Sequence, residues 1–230
     1  MGLSDVGRWD LALTMTDFTR EREAMVERQL RRRGITEPHI LDAFRAVPRE
    51  QFVTLDQAHL AYGDHPLPIE AGQTISQPYI VALMIQAAAI KPGDRVLDVG
   101  AGSGYAAAII GRIARKVIAI ERQRELVEVA RERLRRLGYG NVEIVEGDGT
   151  KGWRDEAPYD AILAAASGSH VPRALIEQLA PNGRIVMPIG DPGLVQELIK
   201  VTKQEDGILK QENLGGVRFV PLIGEEGWDG

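Results

Sequence analysis

Between residues 79 and 190 the chain alternates two hydrophobic periods. Short, nearly unbroken apolar runs at 95–100 (RVLDVG), 116–121 (KVIAIE), 142–148 (VEIVEGD), 159–166 (YDAILAAA) and 183–190 (GRIVMPIG) are separated by segments with apolar positions at helical spacing: 79–90, 105–114, 123–137 and about 171–180. Apolar runs of this length fit strands covered on both faces, and the helices between them fit crossovers joining parallel neighbours. The pattern therefore predicts an α/β fold with a doubly wound, mostly parallel sheet. Past residue 190 two extended runs, 195–204 and 208–223, flank the turn sequence Glu205-Asp206-Gly207, which predicts an antiparallel C-terminal hairpin on the sheet edge. Ahead of residue 79, segments 20–34 and 37–48 place Met25, Leu30, Ile40, Leu41, Phe44 and Val47 on apolar faces and predict an N-terminal helical cap. Residues 1–20 read as an arm with no assigned role. Residues 21–230 read as a single domain, with 21–78 as cap and connecting segment and 79–230 as core.

Composition narrows the function classes. With 230 residues and 44% hydrophobic content the chain reads as a soluble globular protein. A net charge of -5 gives no general reason to expect nucleic acid as a partner; the basic stretches 28–34 and 131–138 read as solvated helix faces. The absence of cysteine excludes disulfides, thiol catalysis and cysteine-ligated metal. No apolar stretch is long enough for a membrane span and no leader pattern opens the chain, so cytoplasmic residence is the expectation.

Candidate chemistry gathers at strand ends. In VLDVGAGSGY a buried run ends at Asp98 and passes through Gly100, Gly102 and Gly104. Such glycines permit a sharp turn and close approach of backbone to ligand. The dinucleotide fingerprint G-x-G-x-x-G fits poorly, because the third glycine comes one residue early and position 105 is tyrosine. Glu121 closes the next run, where a carboxylate can accept two ribose hydroxyls. Asp148, in EGDG after the third run, can take a donor such as an adenine amino group, or can simply form a turn. Together they imply a ligand with ribose and adenine and no diphosphate. Upstream, GQTISQPYIV crowds Gln73, Thr74, Ser76 and Gln77 ahead of a helix that needs one capping residue. Ser76 is either that cap or a group with work to do in a site. Ser167, Ser169 and His170 could suggest a nucleophile and base, but no Gly-x-Ser-x-Gly elbow accompanies them.

The ordered set LDVGAGSG, AIE and GDG resembles the class I S-adenosylmethionine-dependent methyltransferases, which have a Rossmann-like core. AVPREQFV, YGDHPLPIEAGQTISQPYIVALM, GDGTKGWRDEAPYDAILAAA, VPRALIEQLAPNGRIVMPIG and GGVRFVPLI together resemble the protein-L-isoaspartate O-methyltransferases over about residues 21–224. The resemblance implies methyl transfer from S-adenosyl-L-methionine, leaving S-adenosyl-L-homocysteine, to the free α-carboxylate of isoaspartyl residues in peptides and proteins. It implies Ser76 as the catalytic residue. Around the cofactor it implies Thr74, Ile75, Gln77, Asp98, Gly100, Ala101, Gly102, Gly104, Tyr105, Glu121, Arg122, Asp148 and Gly149. For substrate it implies Asp64, Ala165, Ala166, Val217, Phe219 and Val220; no metal, no nucleic acid and no membrane are expected, and a monomer is favoured with the oligomeric state left open. SGSH at 167–170 departs from the family's Ala-Pro-rich turn. A methyltransferase for RNA or a small molecule, or a fold kept for binding alone, are the rival readings.

Overall fold

The computed structural model describes residues 18–229, so most of the expected arm lies outside the described residues. Helix α1 (18–25) runs into a wider π-helical turn, Val26–Leu30, and a tighter one, Arg31–Arg33, and stops at Gly34 with φ 94°. The segment read as one helix is thus one rod of changing winding, with Val26 and Leu30 both buried. Helix α2 (Pro38–Ala46) follows, with proline in its first turn where a missing N–H costs nothing. Two short strands, β1 (Leu67–Pro68) and β2 (Thr74–Ile75), pair antiparallel across the turn Glu70–Gly72. Helix α3 (Pro78–Ala88) starts directly behind them.

The main sheet is built from β3 (Arg95–Val99), β4 (Lys116–Glu121), β5 (Val142–Glu146), β6 (Tyr159–Ala164), β7 (Leu179–Ile189), β8 (Gln196–Lys203) and β9 (Leu209–Val217). Their spatial order is β5-β4-β3-β6-β7-β8-β9; pairs up to β7 are parallel, and β8 is antiparallel to both neighbours. Helices α4 (Tyr105–Gly111), α5 (Arg124–Arg136) and α6 (Arg173–Glu177) join the parallel strands. Alternate strand residues divide two cores, as the two-residue period requires. Val96, Val117, Ala119, Ala161 and Val186 pack with the cap and α3 to α5. Leu97, Val99, Ile118, Ile120 and Ile185 pack with Leu175 of α6, Trp153 and Leu222.

Two elements differ from the pattern in the sequence. The helix expected over 171–180 is only Arg173–Glu177, because Leu179 already pairs with Tyr159 and β7 begins before Asn182, whose φ is 61°. Sheet pairing captures residues that helical spacing alone would assign to the helix. The run 208–223 is not one strand: β9 ends at Val217. Gln196 donates Nε2–H to Phe219 O at 3.2 Å and accepts Phe219 N–H at 2.7 Å, and Val220 O accepts from Ser167 N at 2.8 Å. These bonds pull 218–223 off the edge and across the carboxyl ends of the strands.

Candidate active site

A cavity of about 940 Å³ opens at the carboxyl ends of β3, β4 and β6, where open α/β sheets bind ligands. After β3 the chain turns so that Gly100 N and Ala101 N both donate to Ile120 O, at 2.9 and 3.0 Å, which binds the turn to β4. Gly100 has φ 88° and Gly102 φ 53°, conformations that a side chain would strain. Gly149 forms part of the wall, and a Cβ there would stand 2.5 Å from Val99 Cγ1. Only glycine lets that loop lie flat against the strand.

Two acids face the cavity. Glu121 accepts Gly102 N–H at Oε2 and Gln123 N–H at Oε1, both at 2.9 Å, so its carboxylate is fixed with further lone pairs available. Asp98 is 1% exposed, and its Oδ2 has no hydrogen-bond partner among the described residues. Burial, reinforced by the charge of Glu121, pushes the Asp98 carboxyl up to about 7. A buried carboxylate with an orphaned oxygen is costly unless a ligand supplies a cation or a donor. The site therefore fits a positively charged, hydroxyl-bearing ligand. S-adenosyl-L-methionine carries a sulfonium, an ammonium and two ribose hydroxyls.

The same cavity is lined by Thr74, Ile75, Ser76 and Gln77. They are held from both sides. Glu70, in the turn ahead of them, takes a two-pronged ion pair from the buried Arg133 of α5, at 2.7 and 3.2 Å. Asp64 accepts Gln77 Nε2–H at 2.7 Å and Tyr79 N–H at 3.2 Å, and it also pairs with Arg33, whose guanidinium lies 3.5 Å from the centre of the Tyr79 ring. Asp64 is thus the side chain that satisfies an N-terminal donor of α3. Ser76 Oγ makes no hydrogen bond among the described residues, and neither does the N-cap side chain of Gln77 to the helix backbone.

The cavity brings together Thr74, Ile75, Ser76, Gln77, Asp98, Gly100, Ala101, Gly102, Tyr105, Glu121, Arg122, Gly149, Ala165, Ala166, Val217, Phe219 and Val220. Asp64, Gly104 and Asp148 are not among the residues that line it. Gly104 ends the turn at φ 88° with its open side toward Ala130 and Leu134 of α5. Asp148 Oδ1 accepts from Thr150 N at 2.9 Å and Thr150 Oγ1 at 2.7 Å, and Oδ2 accepts from Glu225 N at 2.9 Å. Burial raises the Asp148 carboxyl, but these hydrogen bonds outweigh it and hold the group below the usual carboxylate range. Its oxygens tie the C-terminal tail to the loop after β5. Tyr105 is buried, with its ring against Phe44, Phe52 and the Arg49 guanidinium of the cap, and burial pushes its hydroxyl up to about 12. Ser169 Oγ and His170 Nδ1 lie 2.9 Å apart, but both residues are exposed and outside the cavity wall. Sequence reasoning missed Gly193, Leu194 and Val195, which close the rim between β7 and β8. The turn sequence DPG marked the loop, but nothing in it disclosed the distant site it borders.

Residues 20–227 match the sequence profile of the family described as protein-L-isoaspartate(D-aspartate) O-methyltransferase. The chain belongs to this family. Protein-L-isoaspartate O-methyltransferase 2 of Pelobacter propionicus is 54% identical over 207 residues, covering 90% of this chain and 92% of that protein. The Rhodopseudomonas palustris (strain ATCC BAA-98 / CGA009) enzyme is 52% identical over 204 residues, covering 89% and 94%. Among solved structures, a protein-L-isoaspartate O-methyltransferase superposes with a TM-score of 0.81 at 32% identity, covering 90% of this chain and 67% of that one. A Plasmodium falciparum structure, described under the same enzyme name and in complex with S-adenosyl-L-homocysteine, superposes with a TM-score of 0.76 at 29% identity, covering 88% and 98%. Within this isoaspartate methyltransferase, the acids at the ends of β3 and β4 and the segment 74–77 line a single cavity.

Proposed function

We infer that this protein is a protein-L-isoaspartate O-methyltransferase, which esterifies the free α-carboxylate of L-isoaspartyl residues and so starts their repair through a succinimide. The observation that carries the residue-level reading is Ser76: it stands on the wall of the cavity holding Asp98 and Glu121, with its helix capped by Asp64 instead. S-adenosyl-L-methionine, when bound, supplies a methyl group activated by its attachment to a sulfonium.

The chain's own residues do the binding and aligning. Glu121, with both oxygens oriented by backbone N–H groups, would accept the ribose hydroxyls, and Asp98 would pair with the cofactor's positive charge. The glycine turn 100–102 gives the ligand room against the backbone. The substrate carboxylate, with an α-carboxyl pKa of about 3.5, is ionised at neutral pH, so the enzyme needs no strong general base. What it needs is orientation, which can lower a barrier by several kcal/mol, with about 7 at the low end for well-aligned reactants. Ser76 Oγ–H donates to one carboxylate oxygen and turns the other toward the methyl. Ala165 and Ala166 leave room for the substrate, and Val217, Phe219 and Val220 form the wall along which the peptide lies. The small-residue wall at the end of β6 offers no grip for an amine, which favours a carboxylate acceptor.

No helix among the described residues is long and apolar enough to cross a membrane. The cysteine-free composition fits a reducing compartment such as the cytoplasm, with damaged proteins and peptides as substrates. The test is transfer of labelled methyl to an isoaspartyl peptide beside its aspartyl twin. Methylation confined to the isoaspartyl peptide is expected, since the two differ by one methylene in the route to the carboxylate. Comparable methylation of both would contradict the reading.

A further inference from the structure

The cavity wall includes an exposed arginine, Arg218, between Val217 and Phe219. Its side chain makes no hydrogen bond or ion pair among the described residues. Elsewhere Arg22, Arg33, Arg45, Arg133 and Arg184 each hold a carboxylate, as expected in a chain of net charge -5. Arg218 instead stands on the cavity rim between the apolar Val217 and Phe219 in the chain. Gln196 pairs with Val217 across β8 and β9, and a Cβ on Gly216 would meet Val195 Cγ1 at 3.0 Å, so the loop before β8 lies against the base of this segment. Leu194, Val195 and Val220 are 61%, 62% and 42% exposed on the same rim. No ion pair joins it to the acids of the wall among the described residues: Asp98 is buried at the end of β3, and Glu121 accepts two backbone N–H groups. The other exposed arginine of the wall, Arg122, adjoins Glu121 on the acid side.

We propose that Arg218 is a specificity-determining residue that pairs with an acidic side chain next to the isoaspartyl residue of the substrate. The inference rests on the reading of 217–220 as the peptide wall. A guanidinium paired with the reacting carboxylate would withdraw charge from the nucleophile, whereas Arg218, at the exposed mouth, meets the chain as it leaves the site. An exposed pair contributes about 0.2–1 kcal/mol, or up to about fivefold in affinity, and a lysine in the same place is repelled by a similar amount. Such pairing is screened by salt, since the Debye length falls from about 10 Å at 0.1 M to about 3 Å at 1 M.

Three isoaspartyl peptides, identical except for Glu, Gln or Lys on both sides of the isoaspartate, test the assignment against the wild type and Arg218→Gln. The wild type should show kcat/KM in the order Glu, Gln, Lys, with about threefold to tenfold between the extremes, expressed in KM and shrinking at high salt. Arg218→Gln should bring the Glu-to-Lys ratio close to one. Equal kcat/KM for all three peptides with the wild type would overturn the proposal. So would a variant that slows all three by one factor, which would put Arg218 on the carboxylate they share. Failure of the wild type to methylate any of them would overturn the reaction itself, and the Arg218 assignment with it.

Discussion

Asp64 Oδ2 accepts a hydrogen bond from Gln77 Nε2 at 2.7 Å while its Oδ1 accepts Tyr79 N–H at 3.2 Å, so one carboxylate both caps α3 and fixes the residue after Ser76. This division of labour leaves the serine hydroxyl without a hydrogen-bond partner among the described residues. Asp64→Ala should therefore cost about 1 kcal/mol of stability, the usual loss of a cap, and should also lower turnover because Gln77 and Ser76 lose their anchor. Chemical denaturation and single-turnover methylation of the variant check both effects. A variant with normal stability and normal turnover would show that Asp64 holds nothing.

Glu121 and Asp148, both candidate ligand acids in the sequence, separate in the structure: Glu121 lines the cavity and Asp148 does not. Glu121→Ala should weaken cofactor binding by about 1.5–3 kcal/mol, the range for hydrogen bonds to a charged group. Asp148→Ala should chiefly loosen the tail, since Glu225 N and Thr150 lose their acceptor, with a smaller effect on affinity. Calorimetric titration of both variants with S-adenosyl-L-homocysteine decides the order. A larger loss for Asp148→Ala would put that carboxylate in the site.

Asp98 should give ligand binding in the cavity a pH dependence. Its folded pKa of about 7 lies above the unfolded value of about 3.9, so the folded protein holds the proton more tightly than the unfolded chain across that window. Stability of the ligand-free protein should then decline as pH rises from about 4 to about 7, by at most about 4 kcal/mol, and level off above. Asp98→Asn should flatten that slope. A cationic ligand favours the carboxylate, so affinity for S-adenosyl-L-methionine should rise with pH up to about 7, with proton release on binding. Thermal unfolding and calorimetry between pH 5 and 8 measure both. An affinity independent of pH over that range would remove Asp98 as the partner of the positive charge.

Most of the sheet was legible in the sequence because each central strand is buried on both faces and stands out as an apolar run, as with Val96 to Val99 and Val117 to Ile120. Helix α5 was equally plain, since Leu126, Val127, Ala130 and Leu134 recur at helical spacing and are all buried. That the glycine turn after β3 and Glu121 border a cavity was legible because both stand at strand ends. Where the sequence was silent, distant residues decide. Leu179 joins β7 because Tyr159 lies beside it, and 218–223 leaves the edge because Gln196 and Ser167 hold it. The question of whether Ser76 caps α3 could not be answered locally, because the competing acceptor is Asp64, on another loop. Asp148 likewise depends on a tail residue, Glu225, far along the chain.

The central claim is that Ser76 orients the substrate carboxylate, and single-turnover methylation of an isoaspartyl peptide by Ser76→Ala, run beside its thermal unfolding, tests it most directly. The account predicts a partial loss of rate, well beyond any change in cofactor affinity, because the substrate brings its own ionised nucleophile, and an unfolding temperature close to wild type. A wild-type rate would contradict the account, and a loss of about 0.5–2 kcal/mol of stability beside that rate would return Ser76 to the role of a helix cap.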